Sequence, residues 1–251
     1  MAALRKFTMF EMLARSLLIQ GSWNYRTMQG AGVGFALIPV LKRLHRDDPD
    51  ALARAVRRHV GFYNGHPYLS TVAIAALARM EGEEADAEEI DRFKRALVSP
   101  LGSLGDRLVW ARWRPLTLLL AALLYLAGAA WWVAASAFLL LYNVVHLKLR
   151  VWGLRLGWRE GRAVGRVLIG SPLRRLPDRL TIPLAAIAGG LLPLMALSVS
   201  QSNGLAPLPA VGSAVGLAAI GAWRPALAGR LAAFGILLFS LGFVILGQIA
   251  W

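Results

Sequence analysis

Residues 116–147 read LTLLLAALLYLAGAAWWVAASAFLLLYNVVHL and carry no Asp, Glu, Lys or Arg over 32 positions. A hydrocarbon layer about 30 Å thick takes about 20 helical residues. The block is therefore long for one crossing and short for two full ones. Its middle, Ala127-Gly128-Ala129-Ala130-Trp131-Trp132, is small and flexible before it turns aromatic. The spacing predicts a helical hairpin with short arms, bent or re-entrant, with one steeply tilted helix as the alternative. Arg107, Arg112 and Arg114 precede the block, and nine Lys and Arg residues follow between Lys148 and Arg179. Cationic segments stay on the cytoplasmic side, so basic flanks at both ends favour a hairpin that enters and leaves on one face.

Working outward, 148–179 reads as a basic cytoplasmic loop and 180–199 as a second apolar segment. Gln201, Ser202, Asn203 and Gly204 with two prolines form an outward-facing turn. Segments 211–223 and 231–251 complete the apolar set around a cytoplasmic turn at Arg224, Pro225 and Arg230, and the C-terminus is expected outside. Residues 115–251 are thus read as a transmembrane region. Twelve of the 14 acidic residues lie before position 107, and residues 1–114 read as a separate amphipathic region. Residues 1–15, with Arg5, Lys6, Glu11 and Arg15, do not read as a signal peptide.

The whole chain has 251 residues, 57% hydrophobic and 17% charged, with a formal net charge of +14. That is too apolar for an ordinary soluble domain. In a greasy chain the excess cation points to anionic lipid; its placement beside apolar segments argues against nucleic acid. No cysteine is present, which excludes disulfides and thiolate chemistry.

In the first region, Asp48-Pro49 is a helix start, with Asp48 as N-cap and proline at the first helical position. The helix that follows sets Leu52, Val56, His59, Val60 and Tyr63 on one face and Arg54, Arg57 and Arg58 on the other. Further helices are expected over Phe7–Ile19, Val33–Leu44 and Tyr68–Met80. Another begins near Ile90 and stops before Pro100, where Leu101–Gly105 reads as a glycine-rich turn. Glu81–Glu89 reads as a solvated acidic stretch. No alternating pattern suggests strands, so the fold class is all-α: a polytopic membrane protein with broken amphipathic helices first, then a hairpin and C-terminal transmembrane helices.

His45, His59, His66 and His146 are not spaced as metal ligands, and no nucleotide loop or nucleophile elbow is present. No cofactor, metal or catalytic residue is expected. Gly30-Ala31-Gly32-Val33-Gly34 lacks a preceding strand and reads as close helix packing rather than a phosphate cradle. Polar groups beside aromatics cluster at Gln20, Trp23, Asn24 and Gln29, at Asn64 and His66, and at Asp106. Amides, carboxylates and imidazoles next to rings suit a sugar, whose hydroxyls take paired hydrogen bonds while its apolar face stacks. The same groups equally suit helix caps and ties between broken segments. Asp106 has Arg107 or Arg112 as its nearest candidate partner, and Asn143 and His146 are expected to bond neighbouring helices.

Three motifs in order carry a resemblance. Gly21-Ser22-Trp23-Asn24-Tyr25 with Met28-Gln29 comes first, continued by Ile38-Pro39-Val40-Leu41. Arg58-His59 through Asn64-Gly65-His66-Pro67-Tyr68 is the second. Pro100-Leu101-Gly102-Ser103-Leu104-Gly105-Asp106, then Trp110 and Arg114-Pro115, is the third. Together they resemble the IID membrane subunit of mannose-type (mannose/fructose/sorbose) phosphotransferase permeases. The sequence departs from that pattern at Arg26-Thr27, where a glutamate is usual, and at Arg107, where a small residue or proline is usual.

The resemblance implies a hetero-oligomer in the bacterial inner membrane, in which IID and a IIC subunit form the pathway for a hexose. Cytoplasmic IIA and IIB proteins then carry the phosphoryl group, and IID has no catalytic residues of its own. The basic segments would dock the IIB protein or meet anionic lipid. Gln20, Trp23, Asn24, Asn64, His66 and Asp106 are the expected substrate-binding residues. The other reading is a non-transporting membrane scaffold that recruits phosphotransferase proteins.

Overall fold

The structure, a computed structural model, describes residues 6–203. The segments expected at 211–223 and 231–251, the turn between them and the C-terminus lie outside the described residues. The chain divides into two compact units, one of Met1–Pro115 with Leu139–Leu180, the other of Leu116–Phe138 with Thr181–Trp251. The described residues are helical, without a β-strand; only isolated bridges join Met28 to Asn24 and to Tyr63.

In the first unit α1 (Lys6–Ser16), α2 (Gly30–Leu44), α3 (Pro49–Val60), α4 (Ser70–Gly82) and α5 (Ala87–Gly105) follow in order. The cap read at Asp48 is present: its carboxylate accepts the Ala51 N–H at 2.8 Å, with Pro49 opening α3. Asp48→Ala is expected to cost about 1 kcal/mol. This would appear as a fall of a few degrees in melting temperature.

Helix α4 is the hub. Ser70–Ala78 are all buried, so this helix has no solvent face, and α1, α2 and α5 pack around it. Small residues on α4 (Ala73, Ala75, Ala76, Ala78) permit close approach. A Cβ at Gly157 would fall 2.1 Å from the Val72 carbonyl oxygen, so that glycine lets the later basic helix lie directly on α4. Gly30 and Gly32 do likewise at the start of α2, where a Cβ would meet the Gly61 and Ile19 carbonyls at 2.0 and 2.1 Å. Close packing, rather than a phosphate cradle, explains the glycine run.

Three expectations fail here. Pro100 does not end its helix: α5 runs through it to Gly105, passes into a π-helical stretch (Asp106–Trp113) and continues as α6 (Arg114–Leu126). The supposed turn glycines are helical, and at Gly105 the missing side chain admits a neighbour: a Cβ there would sit 2.1 Å from His66 Cγ.

Residues 148–179 are not a loop. α7 (Trp131–Glu160), a 3-10 turn (Gly161–Ala163), α8 (Val164–Gly170), a second 3-10 turn (Pro172–Arg174) and the start of α9 (Leu176–Asn203) cover them almost entirely. The arginines are helix surface, except Arg150, which is 2% exposed.

Glu81–Glu89 is not simply solvated. Glu81 is buried, taking the Arg58 guanidinium at 2.9 Å and His59 Nε2 at 2.6 Å. Arg58 is thus drawn off the solvent face assigned to it. Glu83 and Glu89 both accept from Arg162 at 2.6 Å, pinning the α4–α5 corner to the 161–163 turn.

Within 116–147 the chain breaks at Ala127–Ala130, where Gly128 takes φ +93°, a conformation open to glycine. One continuous tilted helix is therefore excluded. The two helical stretches 87–126 and 131–170 are long and apolar enough to cross a membrane by length and composition.

Candidate functional site: a polar cavity beside His66

Two irregular segments build the site. Residues 17–29 turn back between α1 and α2, and 61–69 join α3 to α4. Backbone pairs hold them together: Gln29 N–H donates to the Tyr63 carbonyl at 2.8 Å, and Tyr63 N–H donates to the Thr27 carbonyl at 3.2 Å. The first segment is shaped by Asn24. Its amide nitrogen donates to Ser22 O and Thr27 Oγ1, and its amide oxygen accepts the Arg26 and Thr27 N–H groups at 3.0 and 2.9 Å. That exhausts the side chain's capacity. Asn24 thus ties its own loop together, and it does not line the cavity formed by the other expected residues.

The other five expected residues converge. Gln20, Trp23, Asn64, His66 and Asp106 line one cavity of about 210 Å³, with Gln29, Gly65, Pro67, Gly102 and Trp110 completing it. Gly102, Asp106 and Trp110 arrive there by spacing alone, since positions four apart share a helix face. The π stretch that begins at Asp106 is a widened turn of the kind that often marks functional positions. Asp106 is exposed and has no ion pair with a described residue; Arg107 instead pairs with Asp178 at 3.2 Å. Of the two partners expected for Asp106, Arg107 is thus engaged elsewhere.

Two lining residues hold buried polar atoms that lack a hydrogen-bond partner in the structure: His66 Nε2 and Gln29 Oε1. The His66 ring is 1% exposed, set against Trp110 with centroids 4.9 Å apart, and its Nδ1 accepts the Tyr68 N–H at 3.3 Å. Nδ1 as acceptor places the proton on Nε2. Burial, with the nearby Arg150 charge and His146, pushes the His66 pKa down to about 4, so the ring is neutral at physiological pH. The cavity thus offers one orphaned donor and one orphaned acceptor. A hydroxyl, which both donates and accepts, satisfies both.

Behind His66 lies a network missed in the sequence. Tyr68 and Tyr142 share a hydroxyl hydrogen bond of 2.6 Å, and His146 stacks on the Tyr68 ring at 3.7 Å between centroids. Arg150 Nε donates to His146 Nε2 at 2.7 Å. His146 is thus bonded within its own helix, though stacked on another segment. Asn143 likewise donates to Leu139 O of its own helix, contrary to the interhelical bond expected for it.

The family described as "PTS system mannose/fructose/sorbose family IID component" matches over residues 3–203, four fifths of the chain. The chain belongs to this family. Among its relatives, the mannose-specific EIID component of Escherichia coli K12 is 30% identical over 182 residues, covering 70% of this chain and 64% of that protein. The sorbose-specific EIID component of Klebsiella pneumoniae is 35% identical over 176 residues, 68% of this chain and 63% of that one. The fructose permease IID component of Bacillus subtilis is 30% identical over 194 residues, 75% of this chain and 69% of that one. The match thus spans just under two thirds of the length of the first two relatives. A solved membrane protein structure shares the fold, with a TM-score of 0.68, 29% identity and coverage of 76% of this chain and 71% of that one. The mannose transporter ManYZ, solved in complex with a microcin, has a TM-score of 0.61 at 23% identity over 97% of each chain, a likeness of fold. This IID-family chain is an integral membrane protein, in keeping with its two long apolar helices.

Proposed function

We propose that this IID-family chain is the membrane subunit of a phosphoenolpyruvate-dependent sugar permease, forming with a IIC partner the translocation pathway for a mannose-type hexose. The observation that carries this reading is the cavity of Gln20, Trp23, Gln29, Asn64, His66, Asp106 and Trp110, with its orphaned His66 and Gln29 atoms. A buried unsatisfied polar group costs about 1–3 kcal/mol and persists where a ligand redeems it. That favours transport over a scaffold role, which needs no such cavity. At about 210 Å³ the space is small beside pockets for drug-sized ligands, about 300–1,000 Å³. It suits part of one sugar ring, with the IIC partner supplying the remaining wall.

In this reading phosphoryl transfer belongs to cytoplasmic IIA and IIB proteins. The arginine-rich surface of α7 to α9 faces the cytoplasm, where it meets IIB or anionic lipid. The role of this subunit is to hold and release the sugar without chemistry of its own. Broken elements lining a polar site at membrane depth are a recurring solution in transporters.

The test is hexose uptake by the full chain coexpressed with its IIC partner. His66→Ala with Asn64→Ala is expected to reduce uptake at least about tenfold, the loss of roughly one to two hydrogen bonds, at normal membrane abundance. Unchanged uptake by the double variant would remove both residues from the site.

A further inference from the structure

Arg150 has no place in the function just described, yet it is the most anomalous charge in the described residues. It is 2% exposed, and none of its hydrogen bonds goes to a carboxylate. Its guanidinium donates to the Ser16 carbonyl at 2.5 Å and to Ser16 Oγ at 3.2 Å, both on α1. Its Nε donates to His146, and its Cζ lies 5.3 Å from the centre of the Tyr68 ring. A buried cation without a counter-charge is costly. A cheaper residue would serve if filling space were the only need.

We propose that Arg150 is the positioning residue of the polar cavity: it locks His146 and the Tyr68 ring in place and, through Tyr68, holds His66 as a neutral Nε2–H donor toward the ligand. This rests on the reading of the cavity as a hexose site. The chain of contacts is continuous. The Arg150 N–H makes His146 Nε2 an acceptor, so the His146 ring is the neutral Nδ1–H tautomer. That ring stacks on Tyr68 with planes 17° apart, while Arg150 lies against the same tyrosine. Tyr68 is held at its far end by the Tyr142 hydroxyl and presents its backbone N–H to His66 Nδ1. Tyr68 also meets the His66 ring edge-on, with centroids 5.1 Å apart.

The charge matters as well as the geometry. The groups around His66 are Arg150 and His146 on α7, Tyr68 on its own segment, and Asp106 lining the same cavity. Burial is the first reason a protonated imidazole is disfavoured, and the Arg150 and His146 charges add to it. The neutral imidazole reads a neutral hydroxyl, and removing the Arg150 charge leaves burial and His146 as the opposition to protonation. A protonated ring would instead offer two donors and lose the Tyr68 N–H contact, so it could no longer be held in the orientation that reads the hydroxyl.

The experiment uses the full chain purified with its IIC partner and mannose as probe, with affinity measured from pH 5.5 to 8. It is paired with nitrogen-15 NMR of the four histidines, the His66 signal being assigned by His66→Gln. The parent protein is expected to bind with a flat pH profile and to keep His66 as neutral Nε2–H across that range. Arg150→Met is expected to weaken binding about tenfold at pH 8 and further toward pH 5.5, as His66 begins to titrate within the range. Arg150→Lys keeps the charge but loses the planar fork. It is expected to weaken binding severalfold with the profile still flat, and carries the test if Arg150→Met does not accumulate. Parent-like affinity in both variants, or an acid-sensitive profile in Arg150→Lys, overturns the proposal. If no protein binds mannose, the hexose reading falls. The NMR then decides the Arg150 part alone: a His66 signal unaltered by Arg150→Met refutes it.

Discussion

Gly105→Val is expected to abolish hexose uptake while a valine at Gly165 leaves it unchanged. At Gly105 a Cβ would lie 2.1 Å from His66 Cγ and 2.3 Å from His66 Cβ, whereas at Gly165 nothing lies within 4 Å. The obstructing atoms are not the yielding end of a flexible chain. They are the root of a buried imidazole whose ring is wedged against Trp110. Either His66 leaves the cavity or α5 moves off the 61–69 segment, and in both cases the cavity loses its donor. Overpacking of this kind costs about 1–3 kcal/mol or more in stability. The loss of uptake should be at least about a hundredfold, since displacement by about 1 Å already costs that much in positioned sites. Uptake per unit of membrane-inserted protein measures it. Normal uptake by Gly105→Val would mean that the cavity is not the sugar site.

The second large effect is on stability. Glu81→Ala is expected to cost about 3–5 kcal/mol, because it leaves Arg58 and the buried His59 without their shared carboxylate. Melting in detergent should drop by roughly 10 °C. The pH dependence has a definite sign. Burial pushes the Glu81 carboxyl up, but the His59 hydrogen bond and the Arg58 charge outweigh it and hold the group below its usual range. Burial likewise holds His59 below its ordinary value, with Glu81 only partly offsetting it. A depressed carboxylate contributes stability above its unfolded pKa and loses it as pH falls through the folded one. A depressed histidine favours the unfolded state progressively below about pH 6.5. Both act together, so the parent protein loses stability on acidification, and the gap between it and Glu81→Ala narrows in the carboxylate range. A gap that stayed constant down to pH 3 would contradict the assigned ion pair.

Local signals were legible in the sequence and distant partners were not. The Asp48-Pro49 cap needs only adjacent residues, and the break at Ala127–Ala130 needs only a small-residue run with a glycine. Gln20, Trp23, Asn64, His66 and Asp106 stood out as polar groups beside glycine, proline or aromatic neighbours, and the fold brings these five to one cavity. Asn24 stood out for the same reason, but its two-to-three-residue reach lets it bond its own loop.

Where the reading failed, the deciding atom lay far along the chain. Glu81 looked solvated because its partners are 22 and 23 residues earlier. Arg150 looked like one loop cation among nine, and its acceptor on Ser16 is 134 residues away. The glycines after Pro100 suggest a turn from local sequence, but the helix runs through the proline, and Gly105 packs against His66, a residue 39 positions earlier.

The most direct test of the central claim is a cryo-EM structure of the full chain with its IIC partner and mannose. A sugar hydroxyl within hydrogen-bond distance of both His66 Nε2 and Gln29 Oε1, with the ring beside Trp23 or Trp110, is the result expected. Mannose bound elsewhere in the complex, with those two atoms still unpartnered, would contradict the account.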